Sequence, residues 1–299
     1  MINSVRVLVP GKVNLALLVG DVDGQGYHEL GTVFQAVSLG DQILAERAPE
    51  FSLRNQGEGS SFLPTDDTNL AIRAAKLLAE RHGVDEGIRL LIRKRIPVAG
   101  GMAGGSADAA GVLVACNTVW NLGLSRTTLI EYAAELGADV PFLLLGGTAI
   151  GTGRGDIVTP TVTRGVYHWT FALAHGGLST PAVFREFDRL GRGRPTEIPA
   201  DLLAALAAGD VAQVGQLLTN DLTEAAVSLD PTLARTLELG REAGALGALV
   251  SGSGPTCAFL AGSEGHSQEL AAKLALSSGV RSVRTAFGPV AGAQVTARW

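Results

Sequence analysis

The sequence predicts an α+β fold in two domains, and three observations carry that prediction. Segments with strand periodicity and segments with helix periodicity follow one another without the strict β-α alternation of a doubly wound sheet. The second half changes character, with helical patterns dominating from Pro181 to Gly244. A chain of 299 residues with 46% hydrophobic content has enough apolar surface for one large core or two ordinary ones. The division is placed near Thr163, giving residues 1–163 and 164–299.

Taken in order, Val5 to Val9 and Val13 to Val19 read as two strands parted by Pro10, Gly11 and Lys12. Asn69 to His82 reads as an amphipathic helix: Leu70, Ala74, Leu77 and Leu78 share a face, Arg73, Lys76 and Glu80 lie largely off it, and Gly83 ends it. Ile88 to Arg93 alternates as a strand. A glycine-rich loop follows, then a helix from about Ser106 to Trp120 and another from Thr127 to Leu136. Phe142 to Ile150 is apolar enough for a buried strand. Near the end, Ala248 to Ser251, Thr256 to Ala261 and Ser282 to Phe287 read as strands, with a helix near Ser267 to Leu276 packed on them.

Composition narrows the function. Charged residues are 18% of the chain and the net charge is -5, a poor basis for neutralising nucleic-acid phosphates. The densest cationic stretch, Arg185 to Arg194, also carries Glu186 and Asp188, and reads as a solvated helix end and loop. Cys116 and Cys257 sit in apolar runs and read as buried free thiols, with no spacing for zinc or a disulfide framework; a reducing, cytoplasmic setting fits. The N-terminal apolar stretch is broken by Arg6, Pro10 and Lys12 and does not read as a signal peptide. The longest uncharged run, Ala243 to Ser263, contains five glycines and Pro255, which suits two short strands and a tight turn better than a membrane helix.

The chemistry is concentrated in Pro97-Val-Ala-Gly-Gly-Met-Ala-Gly-Gly-Ser-Ala-Asp-Ala-Ala110, which follows a predicted strand and opens a predicted helix. Glycines let backbone approach an oxyanion, and the helix start offers unpaired N–H groups and a positive dipole end. Together they suit phosphate. Ser106 can cap that helix and offer a hydroxyl to phosphate or Mg²⁺. The pattern is not a Walker A loop, and the glycines at Gly151 and Gly252 only partly mimic a dinucleotide fingerprint.

Pro-x-x-x-Gly-x-x-Gly-Gly-Ser-Ala resembles the second motif of the GHMP kinases. Lys12-Val-Asn-Leu15, Asp23-Gly-Gln-Gly-Tyr-His-Glu-Leu30 and Leu136-Gly-Ala-Asp-Val-Pro-Phe142 are similar to segments of the diphosphocytidyl-methylerythritol kinases within that superfamily, and Val250-Ser-Gly-Ser-Gly-Pro-Thr256 resembles the third superfamily motif. The likeness runs from about residue 5 to residue 290. It implies an N-terminal ATP-binding domain like ribosomal protein S5 domain 2, a C-terminal ferredoxin-like domain, and an active site in the cleft between them. Met102 and Ala103 depart from the usual Leu and Gly of the second motif. Alanine resists positive φ, so a somewhat different loop path is expected there.

The resemblance implies ATP-dependent phosphorylation of a hydroxyl on a cytidine-diphosphate alcohol, in the methylerythritol phosphate route to isoprenoid precursors. Mg²⁺ accompanies ATP, held by phosphate oxygens, water and Ser106. Asp139 becomes the general base and Lys12 its electrostatic partner; on the residues alone, Asp139 before Pro141 reads first as a helix-terminal or turn aspartate. Lys12 is one of only four lysines among 24 basic residues. The implied ATP site comprises Asn69, by adenine or ribose, and the loop residues Ala99, Gly100, Gly101, Met102, Ala103, Gly104, Gly105, Ser106, Ala107, Asp108 and Ala109, with the Asp108 carboxyl turned away from the nucleotide. Tyr27 and Phe184 are implied to clamp a cytosine, His28 to hydrogen-bond its edge through backbone and ring, and Asn14 and Thr180 to contact the rest of the substrate. In isolation Tyr27 reads as a half-buried turn aromatic and His28 as a surface histidine. The rival readings are a homoserine- or mevalonate-type kinase and a non-catalytic nucleotide sensor; the presence of both Lys12 and Asp139 argues against the sensor.

Overall fold

The computed structural model describes residues 2–191, 193 and 195–299; Arg192 and Arg194, the end of the cationic stretch, lie outside the described residues. The elements run β1 (Ser4–Val22), β2 (His28–Ala48), β3 (Ser52–Gly57), a short 3-10 turn (Ser60–Phe62), α1 (Leu70–His82), β4 (Gly87–Lys94), α2 (Gly104–Val119), α3 (Arg126–Leu136), α4 (Val140–Leu145), β5 (Thr148–Thr152), β6 (Ile157–Pro160), β7 (Tyr167–Leu173), α5 (Thr180–Leu190), α6 (Ala200–Ala208), α7 (Val211–Leu217), β8 (Thr219–Asn220), α8 (Thr223–Leu229), α9 (Thr232–Glu242), β9 (Gly247–Val250), β10 (Cys257–Ala261), α10 (Glu264–Leu274), β11 (Ser282–Gly288) and β12 (Gln294–Arg298).

The first sheet is ordered β12-β1-β2-β4-β3, with β5 and β8 adding to β2 and β1 and β6 pairing β5. The two strands expected at the N-terminus are one. β1 runs antiparallel to β2 along almost its whole length, and its register shifts at Pro10/Gly11 and again between Asn14 and Ala16. Proline lacks the N–H a regular ladder needs, so the chain bulges there instead of ending. Helix α2 is buried along most of its length, from Ala107 to Cys116. Its small residues permit this: a Cβ at Gly111 would stand 2.2 Å from the Ile43 side chain. Around it, Val5, Val7, Val9, Ile43, Ile88, Leu90, Ile92, Ala71 and Leu78 form the main core.

The second sheet is antiparallel, ordered β11-β7-β10-β9. Its β9-β10 hairpin is the uncharged run read as two strands and a turn. A second core gathers Val183, Phe187, Leu233, Leu237, Phe259 and Leu270 beneath it. The sheets touch: the Trp169 indole donates to Gln35 Oε1 at 2.9 Å, and Phe287 N donates to Ser38 Oγ at 2.9 Å. Thr163 falls between β6 and β7, where the chain passes from one sheet to the other, yet β8 and β12 return to the first.

Two further expectations are corrected. Phe142 to Leu145 belongs to helix α4, and the strand begins only at Thr148. Pro141 sits in the first turn, where its fixed φ favours a helix and its missing N–H costs nothing. A short apolar run cannot by itself distinguish buried helix from buried strand. The phosphate helix also starts at Gly104, two residues before Ser106; its N-cap is Ala103, with no side-chain capping bond.

Candidate active site

A cleft of about 1080 Å³ opens beside the glycine loop. It is lined from β1, β2, the segment before α1, the starts of α2 and α4, the β5-β6 turn, α5 and the Gly252–Gly254 turn. This is at the upper end of the volume that accommodates one drug-sized ligand, and suits two adjacent ligands.

The bulge in β1 sends Lys12 and Asn14 into the cleft. Lys12 is only 5% exposed, and its Nζ donates to Asn14 Oδ1 at 2.7 Å. Asn14 donates to Thr32 Oγ1 at 2.8 Å, and Thr32 donates to the Ala16 carbonyl at 2.7 Å. This relay fixes the ammonium. Asp139 Oδ1 lies 4.0 Å from it. Asp139 occupies the N-cap position of α4 but makes no side-chain capping bond, so its carboxylate remains available to a ligand. The alternative of a purely helix-terminal aspartate would have used that oxygen on the backbone.

The glycine loop has two kinds of glycine. Gly101 has φ +71, and a Cβ there would meet the Ser251 carbonyl oxygen at 1.9 Å, so it serves close packing against the Ser251–Gly254 turn. Gly105 faces open space, the nearest atom to its Cβ position being Leu70 Cδ1 at 4.0 Å. With no side-chain cap, the N–H groups at the start of α2 are open to an anion. Ala103 takes φ +59, the left-handed conformation that glycine usually supplies, and Ala99 takes φ +53. The loop therefore keeps a left-handed turn at Ala103 in spite of the substitution, at a steric cost.

Behind the loop lies a buried cluster missed in the sequence. Lys94 Nζ donates to Asp41 Oδ2, to Asp108 Oδ2 at 2.6 Å and to the Gly104 carbonyl at 3.2 Å. Asp41 Oδ1 accepts the Arg95 and Ile96 N–H groups at 2.6 and 2.9 Å. The Asp108 carboxyl thus turns toward Lys94, and its Oδ1 is buried without a hydrogen-bond partner. Burial, opposed by Lys94 and reinforced by the Asp41 charge, pushes it up to about 8. An aspartate fourteen residues after a lysine gives no sequence signal; only the β4–α2 crossing brings them together.

At the other end of the cleft, Tyr27 is 54% exposed with the Arg154 guanidinium 3.9 Å from its ring centroid. Phe184 stacks on His28, centroids 5.2 Å apart. Among the described residues no ring contact joins Tyr27 to Phe184. The His28 ring is already engaged: Nδ1 faces the Gly20 carbonyl at 2.8 Å and Nε2 faces Asp188 at 3.1 Å. Both ring nitrogens of His28 thus already have partners within the chain, and its ring face is packed by Phe184. Thr180 Oγ1 lies 2.8 Å from Ser253 Oγ, joining the start of α5 to the third motif. Arg154 and Arg185 also line the cleft. Both were visible in stretches set aside, one in Gly-Thr-Gly-Arg-Gly and the other in the cationic run.

The structure gathers Lys12, Asn14, Tyr27, His28, Asn69, Ala99, Gly100, Gly101, Ala103, Gly104, Gly105, Asp108, Asp139, Thr180 and Phe184 on the cleft wall. Met102, Ala107 and Ala109 instead point into the core, and Ser106 is off the wall, because the helix begins earlier than expected. The Asn69 side chain caps α1 through Ala71 N and donates to the Pro64 carbonyl, so its polar atoms are already used. Asn220 was not anticipated: its Nδ2 donates to the Val250 and Gly252 carbonyls, each at 2.7 Å, and its Oδ1 accepts the Leu222 N–H. It fixes the turn whose Gly252 stands over Lys12. Among the described residues no group of three or more His, Cys, Asp or Glu side chains could hold a metal ion, and no helix is long and apolar enough to cross a membrane.

Residues 69–147 match the GHMP kinases N terminal domain, and residues 202–278 match the GHMP kinases C terminal domain. The 4-diphosphocytidyl-2-C-methyl-D-erythritol kinase of Mycolicibacterium smegmatis is 56% identical over 98% of this chain and 92% of its own length. That of Nocardia farcinica is 55% identical over 98% of this chain and 96% of its own. A crystal structure of a 4-(cytidine 5'-diphospho)-2C-methyl-D-erythritol kinase superposes with a TM-score of 0.79 at 33% identity, covering 94% of this chain and 98% of that one. By motif order, cleft geometry and full-length likeness, the chain belongs to the GHMP kinases and, within them, to the 4-diphosphocytidyl-2-C-methyl-D-erythritol kinases.

Proposed function

We propose that the chain transfers the γ-phosphoryl group of ATP to the 2-hydroxyl of 4-diphosphocytidyl-2-C-methyl-D-erythritol, with Asp139 as proton acceptor. The observation that carries this reading is the Lys12–Asp139 pair, 4.0 Å apart on the wall of a cleft that also contains the open start of α2. The triphosphate rests on that helix start, with its backbone N–H groups holding the β- and γ-phosphates. The substrate hydroxyl enters beside Asp139 Oδ. Its proton passes to the carboxylate as the oxygen–phosphorus bond forms and the β,γ-bridging bond breaks, releasing ADP. Lys12, held by Asn14, offsets the charge on the transferring group.

Mg²⁺ enters with ATP as part of the substrate. Its ligands are chiefly phosphate oxygens and water, since Mg²⁺ keeps much of its hydration. The cytidine end lies toward Tyr27, His28 and Phe184, where aromatic faces and two arginines suit a base and a diphosphate. The buried thiols support a cytoplasmic setting; burial pushes the Cys257 thiol up to about 12 and Cys116 also far upward.

Steady-state assays with 4-diphosphocytidyl-2-C-methyl-D-erythritol, homoserine and mevalonate test the reading. Turnover should be confined to the cytidine-diphosphate alcohol. Preference for homoserine or mevalonate would reject the substrate, and ATP binding without phosphorylation of any of the three would favour the sensor reading.

A further inference from the structure

The wall between the glycine loop and α1 is built from residues 58–69, and it lacks an apolar anchor. None of these residues is buried, and Phe62 at the 3-10 turn is 87% exposed. Yet Leu63, Pro64, Thr68 and Asn69 line the cleft. A segment with so few buried contacts holds its place only through its tethers. At its C-terminal end these run to itself or to α1: Asn69 Nδ2 to the Pro64 carbonyl at 2.7 Å, and Lys76 to Asp67 at 2.7 Å.

At its N-terminal end the tether is Glu58, which reaches across to the second sheet. Its Oε2 accepts from Arg284 Nη2 at 2.8 Å, and its Oε1 pairs with Arg281 Nη2 at 2.9 Å without hydrogen-bond alignment. Both arginines flank or belong to β11, and Arg281 also reaches the Ala174 carbonyl after β7. The carboxyl is only 20% exposed, so the double pair is better shielded than a typical surface bridge.

We propose that Glu58 is a positioning residue for the nucleotide: by clamping residues 58–69 to β11 it holds the cleft wall against bound ATP. The idea rests on the placement of the triphosphate at the start of α2, since Leu70, just after this segment, is the nearest side chain to Gly105. The clamp pairs Glu58 with Arg281 and Arg284 and includes neither Lys12 nor Asp139, so its loss should weaken ATP without touching the phosphoryl acceptor.

Kinetics on the full-length chain test this. Glu58→Ala should raise KM for ATP about three- to tenfold, as expected for losing two partly screened pairs. kcat and the KM for the alcohol should stay within about twofold. High salt should move the wild type toward the variant, because it screens the same pairs. Glu58→Arg combined with Arg284→Glu should recover part of the ATP affinity lost in Glu58→Arg alone. A purely structural role would lower the melting temperature with unchanged KM for ATP, or raise both KM values alike; either result overturns the proposal. Leu63→Glu serves as the companion variant. If it raises KM for ATP while Glu58→Ala does not, the clamp is rejected and the nucleotide placement stands. If neither changes it, the nucleotide does not lie against this wall, and both ideas fail.

Discussion

Lys12 and Asp139 come within 4.0 Å of one another from opposite ends of the first unit's sequence, one thrown inward by a β-bulge and the other set at the start of a six-residue helix. Neither charge is spent on secondary structure. Asn14 holds the lysine, and the aspartate leaves its capping duty undone. Asp139→Asn keeps the shape and removes the charge. It should bind ATP nearly normally and lose about 10²–10⁴ in turnover, the usual cost of removing a general base. Calorimetry for ATP and a coupled assay for turnover check this; turnover within about threefold of wild type would reject the role.

The glycines of the phosphate loop should answer differently to a side chain. Gly101→Ala must displace the Ser251 carbonyl and adopt φ +71, so it should destabilise the fold by several kcal/mol, in the range of overpacking combined with backbone strain. Gly105→Val meets open space and should fold. Its branched side chain should stand where a phosphate approaches and weaken ATP binding by tenfold or more, about 1.4 kcal/mol. Thermal melts and ATP titrations separate the two effects. Unchanged ATP affinity in Gly105→Val would mean that the loop's glycines serve packing alone.

Asp108 supplies a pH test. Its carboxyl, ordinarily near 3.8, is pushed up to about 8, chiefly by burial and against the pull of Lys94. Between those values the folded chain keeps a proton that the unfolded chain has released. Stability from this group therefore falls as pH rises through that window and levels off above about 8, with a slope of at most about 1.4 kcal/mol per pH unit. Asp108→Asn has no such proton. Urea unfolding of both proteins from pH 5 to pH 9 should show the wild type losing ground to the variant steadily up to about pH 8. A constant difference would place the ionised carboxylate in the folded state throughout.

Tyr27→Ala should raise KM for the cytidine-bearing substrate about five- to hundredfold and leave that for ATP nearly unchanged, because base stacking on an aromatic ring contributes roughly 1–3 kcal/mol. Arg154 rests on the same ring, so the variant also removes that contact, while Asp23 and Gln25 still hold the guanidinium. Tyr27→Phe keeps the ring face and should be nearly silent. A rise in KM for ATP alone would assign Tyr27 to the nucleotide.

What the sequence made legible was local. Helix α1, with Asn69 before it and Gly83 after it, follows from apolar spacing and caps, and the phosphate loop from its glycines. The clusters were not legible, because they are made by crossings. Lys94 meets Asp41 and Asp108 only after β2, β4 and α2 have packed, and Glu58 meets Arg281 and Arg284 across more than two hundred residues. Strand β7 escaped notice because its run from Tyr167 to Leu173 mixes His168 and Thr170 among aromatics, and nothing local says that it lies inside a sheet. Arg185 was read as part of a solvated helix end and Arg154 was passed over, because sequence position does not reveal which side of a turn or helix borders a cavity.

The pairing of β12 with β1 has a consequence for how the chain is made. β1 leaves the ribosome long before β12, with every other element of the two sheets made between them. Until β12 arrives, the Val5–Leu8 edge of the nascent sheet has its backbone N–H and C=O groups unpaired, a template on which another chain could add a strand. Completion of the first sheet is thus coupled to the synthesis of the second. Losing β12 would expose that edge permanently and create an aggregation hazard while leaving every residue of the cleft in place.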